Sequence, residues 1–324
     1  MTEDVSPGAA RATVWAILAL LVGAFVLSLF VGVSDLSPGS LADPEALQLL
    51  LVSRLPRTLA ALLAGSALAI AGLVMQTLAR NRFVDPATTG TAQSAWLGIL
   101  MMTLLWPSAS IATKSIGATV AALAGTSVFL ALAHRLPPTQ PFLVPLFGLV
   151  YGGVVGSVAI YIAWQTDMLQ YLEVWTSGEF SGILRGRYEL LWIAAALVAV
   201  AWWVADRLSI LALGEAASIG LGLNYQRMLQ LGLVIVSVVS AVTVVVVGTI
   251  PFVGLVAPNI VSRLVGDNFR RSVPWVAATG ALLVLTCDIF GRLVRYPYEI
   301  PVGTVLGVVG ALLFLAMMPR RAGA

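Results

Sequence analysis

Four arginines in two R-x-x-R pairs are the residues of this 324-residue chain whose spacing points most clearly to chemistry. Arg54 and Arg57 flank a proline just before one long apolar run, and Arg292 and Arg295 lie near the end of another. An arginine guanidinium is planar, stays charged and binds a carboxylate through two parallel hydrogen bonds. The pairs could therefore receive acidic side chains of another protein, or they could anchor helix ends by snorkelling to the membrane surface.

Other residues that could carry out catalysis are scarce. The single histidine, His134, excludes a histidine metal site, and the single cysteine, Cys287, excludes an internal disulfide. The only lysine, Lys114, follows a threonine, so the Gly-Lys-Ser/Thr of a nucleotide-binding P-loop is missing. We therefore predict no catalytic residue, no bound metal or cofactor and no ATP hydrolysis by this chain itself.

The composition indicates the elements that must position the arginines. The chain is 59% hydrophobic and only 10% charged, whereas soluble domains carry about 25% charged residues. A membrane helix needs roughly 20 apolar residues. We predict an all-α, polytopic membrane protein, a single domain over 1–324, with about ten spans near 14–33, 57–79, 90–106, 115–135, 142–165, 188–206, 226–247, 250–265, 274–294 and 301–318. Only Gly248, Thr249 and Pro251 separate the seventh span from the eighth, so nine spans also fit.

The distribution of positive charge predicts the orientation. With ten spans and both termini cytoplasmic, eleven of the eighteen Lys and Arg residues lie inside and seven outside, which agrees with the positive-inside rule. The outer number is nevertheless high, and four of the seven are the R-x-x-R arginines. Asp288, the main acid within a span, precedes Arg292 by four residues and could pair with it on one helix face.

Two segments are too polar to span. The stretch 170–182, QYLEVWTSGEFSG, falls outside in this topology, and 208–224 falls inside. An anchor lying on lipid usually carries Lys or Arg with bulky apolar residues. The 208–224 stretch instead holds Glu215 among alanines and glycines, which suits short helices seated in a groove of another protein better than a connector on lipid.

Several long motifs resemble the permease subunits of the binding-protein-dependent ABC importers for iron-siderophores, haem and vitamin B12 (FecCD-type). The resemblance covers residues from about 50 to 318. Pro258-Asn259 replaces the family's usual Pro-His and, with the following GDNFRR, resembles the subset serving ferric siderophores. The motifs are RLPRTLAALLAGSALAIAGLVMQTLARNRFVDPATTGT, VWTSGEFSG, LALGEAASIGLGL, GTIPFVGLVAPNIVSRLVGD and DIFGRLVRYPYEIPVGTVLGVVGALLF.

The resemblance implies a role for each site. Arg54, Arg57 and Arg292 match the family positions that dock acidic residues of a substrate-binding protein, and Arg295, which crowds the same outer side, is predicted to dock with them. ATPase coupling falls on Leu213, Gly214, Glu215, Ser218, Leu221 and Gly222. A cytoplasmic gate would lie at Thr139, Gln140, Pro141 and Phe142, where the paired hydroxyls of the B12 permease are missing.

The resemblance also implies partners and location. The protein partners are a second permease (the same chain or a paralogue), two P-loop ATPase subunits that hydrolyse ATP, and a periplasmic or lipoprotein substrate-binding protein. The transported substrate is a ferric siderophore, and no nucleic acid is involved. The location is the cytoplasmic (inner) membrane of a bacterium. One alternative is import of haem or vitamin B12 by the same machinery. A second is an ion-coupled secondary carrier, for which only Asp288 offers an intramembrane acid. A third is a membrane-embedded enzyme, which the scarce catalytic residues disfavour.

Overall fold

The computed structural model describes residues 7–32, 43–137, 140, 143–266 and 268–317, and their regular structure is helical throughout. A π-helical turn, Leu50–Arg54, joins α2 to α3 without interruption. The helices are α1 Pro7–Phe30, α2 Pro44–Leu49, α3 Leu55–Leu78, α4 Thr91–Leu105, α5 Ile111–Ala133, α6 Leu143–Gln165, α7 Leu169–Thr176, α8 Leu191–Trp203, α9 Ala205–Leu211, α10 Glu215–Gly220, α11 Tyr225–Val247, α12 Val253–Val265, α13 Phe269–Leu293 and α14 Val302–Met317.

The apolar helices correspond one for one to the ten predicted spans, so the all-helical, polytopic fold class is confirmed. Five helical stretches are long and apolar enough to cross a membrane: Pro44–Leu78, Ile111–Ala133, Leu143–Gln165, Tyr225–Val247 and Phe269–Leu293. Helices α8 and α9 together form a sixth candidate, bent by 69°. The remaining four, within α1, α4, α12 and α14, are shorter apolar helices. Ten crossings with both termini inside stays a prediction.

Helix α3 is the central element of the bundle. It packs against α13, α11, α12 and α8, and 78% of the apolar window in its helical stretch is buried. Small residues allow this packing: a Cβ added to Gly65 would lie 2.5 Å from the Gly280 carbonyl oxygen, and one on Gly72 would lie 2.1 Å from that of Gly254. Paired glycines let membrane helices approach closely, which fixes the position of α3 between α12 and α13.

The weakly marked boundary between the seventh and eighth predicted spans is a real break in the helix. Helix α11 ends at Val247, Gly248 and Phe252 adopt left-handed φ angles of 81° and 68°, and α12 begins at Val253. The segment 170–182 packs on this break, because the Thr249 N–H donates to the Trp175 carbonyl at 3.1 Å. Gly303 N–H also donates to the Gly178 carbonyl at 2.8 Å, which ties the same segment to the start of α14.

The bundle has two distinguishable ends. At one end, called the arginine end, the start of α3 lies beside the end of α13, and Arg185 N–H donates to the Val52 carbonyl at 3.0 Å. At the other end, called the coupling end, Arg80 follows the end of α3. Its guanidinium lies near Gly214, because a Cβ added to that glycine would be 3.0 Å from Arg80 Nη1. The two R-x-x-R pairs thus share one end, and the 208–224 stretch lies at the opposite one.

Candidate functional site

Arg57 and Asp288 form the centre of an ion-pair network at the arginine end. Arg57 Nη2 lies 2.8 Å from Asp288 Oδ1, and Arg57 Nη1 lies 2.8 Å from Glu299 Oε2. Asp288 Oδ2 also accepts from Arg292 Nη2 at 2.6 Å. The ion pair expected between Asp288 and Arg292 is therefore confirmed, and Arg57 is a second partner that the sequence spacing did not indicate.

Helix α1 covers this network. Arg292 donates to the Ser28 hydroxyl at 2.6 Å and to the Val31 carbonyl at 2.8 Å. Arg54 donates to the same Val31 carbonyl. Arg54, Arg292 and Asp288 are only 7%, 3% and 1% exposed, so most of the hydrogen-bonding capacity of these groups is used within the chain.

We call Arg54, Arg57, Asp288, Arg292 and Glu299 the arginine cluster. Three guanidiniums face two carboxylates there, so the described members carry one unit of excess positive charge. The fourth predicted docking residue, Arg295, lies outside the cluster and is exposed, with its guanidinium 5.7 Å from the centre of the Tyr298 ring. The sequence spacing predicted an acidic partner for Arg292 alone, whereas the structure places three of the four arginines in the cluster and leaves Arg295 on the surface.

At the coupling end, the residues predicted to contact an ATPase form one compact turn–helix–turn, residues 213–222. Gly214 and Gly222 adopt φ angles of 96° and 78°, which only glycine accommodates without strain, on either side of α10. The Ser218 hydroxyl is fully buried and donates to the Ile210 carbonyl at 2.9 Å, which fastens α10 to α9. The backbone of this segment is therefore held in a defined shape.

The outward surface of the 213–222 segment is apolar. Leu213 and Leu221 are each 63% exposed and Ile219 is exposed beside them, while Glu215 is exposed at the start of α10. Exposed apolar residues around a single carboxylate form the kind of patch that marks an interaction site. Ile219 was not among the residues predicted for coupling, although its position four residues after Glu215 places both on one helix face.

The predicted gate is described only in part. Thr139, Pro141 and Phe142 lie outside the described residues. Gln140 lines a cavity of about 440 Å³ at the coupling end, together with Arg80, Arg82 and His134. The His134 ring lies 3.0 Å from the Leu78 carbonyl at the end of α3, so this cavity borders the central helix.

Comparison with known proteins identifies the family. Residues 18–320 match the FecCD transport family. The chain is 43% identical to the petrobactin import system permease protein YclN of Bacillus subtilis, with 93% of this chain and 96% of that protein covered. It is 38% identical to the ferric-anguibactin transport system permease protein FatD of Vibrio anguillarum, covering 85% of this chain and 88% of that protein.

A solved structure supports the fold. A metal-chelate type ABC transporter in an inward-facing conformation superimposes with a TM-score of 0.80 over 95% of this chain and 98% of the other, at 23% sequence identity. The family match spans nearly the whole chain, and the missing P-loop agrees with a transport component that does not itself hydrolyse ATP. The chain therefore belongs to the FecCD transport family and is the multi-pass permease subunit of an ABC importer in the bacterial cytoplasmic membrane.

Proposed function

We propose that the substrate carried by this permease is a ferric siderophore. The observation that carries the proposal is the 43% identity to a petrobactin permease over nearly the full length of both chains. A second petrobactin permease, FatD of Bacillus anthracis, is 36% identical with 94% of this chain covered. The vitamin B12 permease of Serratia proteamaculans is less similar, at 33% identity, which supports a siderophore over cobalamin.

Competition for uptake tests the substrate. Proteoliposomes that contain the complete complex and its binding protein should accumulate iron supplied as a ferric catecholate siderophore. A hundredfold excess of the same siderophore loaded with gallium should abolish iron uptake, because it occupies the same site. Haem and cobalamin at the same excess should not compete. Loss of uptake with either one, but not with the gallium complex, would favour the alternative substrate.

We propose that residues 213–222 dock on a separate P-loop ATPase subunit. The fixed backbone between Gly214 and Gly222 and the exposed Leu213, Ile219 and Leu221 support this role. A patch of this composition loses water-exposed apolar area when it enters a groove. The contact between Arg80 and Gly214 would connect the docked segment to the end of the central helix α3.

Charge reversal at Glu215 tests the coupling role. Glu215→Arg should leave membrane insertion intact, because the side chain is exposed, but should lower the retained ATPase at least about tenfold, the equivalent of 1.4 kcal/mol. Co-purification of the ATPase and transport per ATP hydrolysed are the measurements. Glu173→Arg, the same change on exposed α7 at the arginine end, is the matched control and should retain the ATPase. Normal assembly and uptake with Glu215→Arg would refute the coupling assignment.

We propose that the arginine end receives acidic residues of the binding protein, with Arg295 as the contact and the arginine cluster as its support. Arg295 is exposed beside a cluster that carries one unit of excess positive charge. An exposed arginine can bind a carboxylate through two parallel hydrogen bonds and speeds the encounter with an acidic partner. Arg54 and Arg292 are buried and the Arg57 side chain is 11% exposed, so these three residues would contribute mainly by fixing the surface from below.

We propose ten crossings with both termini cytoplasmic. At the coupling end, exposed Arg80, Arg82, Arg135 and Arg227 lie in loops or at helix starts. At the arginine end, Arg54 and Arg292 are instead buried in the cluster. An excess of arginine in the loops of one side is typical of the cytoplasmic side.

A further inference from the structure

Asp85 is a buried acid without an ion-pair partner among the described residues. It lies in the loop between α3 and α4 and is 2% exposed. Its Oδ1 accepts a hydrogen bond from the Ala87 N–H at 2.7 Å, whereas no described protein group bonds its Oδ2. A buried oxygen without a partner is destabilising, so this atom requires an explanation.

The Oδ2 atom faces the beginning of α12. A Cβ added to Gly254, in the first turn, would lie 3.0 Å from Oδ2. The N–H groups of Gly254 and Leu255 favour the charged carboxylate, as expected where a helix N-terminus meets an anion, although neither bonds Oδ2 in good geometry. Burial raises the pKa of Asp85 to about 6, against the opposing effect of these N–H groups.

A small cavity lies beside this carboxylate. Its volume is about 20 Å³, and Asp85, Gly254 and the α11 residues Ser240 and Thr243 are among its lining residues. The Ser240 hydroxyl is also buried, and it lacks a hydrogen-bond partner. Two unsatisfied polar atoms thus border one space, on different elements of the bundle.

The size and chemistry of the cavity select its occupant. A cavity needs about 10–15 Å³ to hold one water molecule, which then requires two to four polar partners. The space is too small for a hydrated ion or an organic ligand. The N–H groups at the start of α12 disfavour a bare cation, whereas water can donate to the carboxylate and accept from a hydroxyl.

We propose that one buried water molecule occupies this cavity and joins Asp85 to Ser240. The water donates to Asp85 Oδ2 and accepts the hydrogen of the Ser240 hydroxyl, so it satisfies both orphan atoms. It thereby links the α3–α4 loop to α11, beside the start of α12. Thr249, which also lines the cavity, bonds Trp175 of the 170–182 segment, and Arg80 of the loop contacts the 213–222 segment. The water site thus lies between the two ends of the bundle, next to elements that contact a segment at each end.

Helix α11 offers a matched pair of variants. Ser237 is fully buried and its hydroxyl also lacks a partner, but it does not line this cavity. Ser240→Ala should lower the thermal midpoint of the purified complete complex by about 2–4 °C, because it removes a partner of the water. Ser237→Ala should leave the midpoint unchanged or raise it, since it removes an unsatisfied hydroxyl. Equal effects of the two variants would overturn the proposal.

Two direct observations complete the test. A structure of the wild-type complex that resolves waters should show a density peak within hydrogen-bond distance of both Asp85 Oδ2 and Ser240 Oγ, and Ser240→Ala should weaken it. An empty cavity in such a map would overturn the water site. Infrared spectroscopy at pH 8 should show no carboxylic acid band that Asp85→Asn removes. Such a band would mean that Asp85 is protonated, which would overturn the arrangement in which a water donates to a charged carboxylate.

Discussion

Replacement of Asp288 with alanine should remove most of the folded permease from the membrane. Arg57 and Arg292 share this carboxylate in a buried setting, so the change leaves both guanidiniums without their common partner. Breaking a buried ion pair by removing one member costs about 3–5 kcal/mol, a large part of a typical total stability of about 5–15 kcal/mol. The monodisperse fraction in size-exclusion chromatography after detergent extraction measures the loss.

Glu299→Ala is the matched control for that experiment. Glu299 binds the same Arg57, but its side chain is 26% exposed, so water replaces part of the lost interaction. Its effect on the yield of folded protein should therefore be much smaller. Equal and minor effects of the two variants would show that the arginine cluster does not hold α3 to α13.

The exposed arginine tests docking separately from folding. Arg295→Glu should give the normal yield of folded protein, because the Arg295 side chain is exposed and its guanidinium lies over the exposed Tyr298 ring. Affinity for the binding protein and its stimulation of the ATPase should fall about tenfold, with basal ATPase activity unchanged. A compensating Glu→Arg change on one lobe of the binding protein should restore both. Unchanged affinity would exclude Arg295 as a docking residue.

Apolar run length was enough to place the helices. Each of the ten predicted spans corresponds to an apolar helix, because a run of that length leaves no competing way to satisfy the backbone in lipid. The weak boundary near Gly248 is a break because left-handed φ angles at Gly248 and Phe252 interrupt the helix. Left-handed Phe252 could not be foreseen, since a bulky residue rarely adopts this conformation.

Contacts between distant parts of the chain were beyond sequence reasoning. Helical spacing predicted that Asp288 would meet Arg292 four residues later, and it does. The same logic could not bring Arg57 to Asp288 across 231 positions, because that contact depends on α3 packing against α13. Of the four arginines predicted to dock a partner, Arg54 and Arg292 are consequently buried in the arginine cluster.

Asp85 shows a second limit of the same kind. By sequence it belongs with the acids of loops and helix ends, which are ordinarily solvated. Its burial follows from the α3–α4 loop packing against α12, where Asn259, in the middle of the helix, donates to the Arg82 carbonyl at 2.9 Å. Unlike Asp288, Asp85 is a buried acid without an ion-pair partner among the described residues, and a proton-coupled carrier could use such a group. The energy source for transport must therefore be measured directly.

The largest expected effect on transport is the dependence on ATP. Asp288 is held by two arginines and is poorly placed to carry a proton. The chain belongs to a family of ABC importer permeases and has no P-loop of its own. We therefore expect the energy for uptake to come from separate ATPase subunits, docked on residues 213–222 as proposed. Proteoliposomes of the complete complex should therefore accumulate ferric siderophore only when ATP is present on the side of the 213–222 segment.

The most direct measurement of this account is siderophore uptake with ATP and the proton gradient varied independently. With ATP in the lumen of right-side-out proteoliposomes and binding protein outside, uptake should continue after a protonophore collapses the gradient. A non-hydrolysable ATP analogue should reduce it to the level of empty liposomes. Uptake that proceeds without ATP and disappears with the protonophore would contradict the account and identify the chain as an ion-coupled carrier.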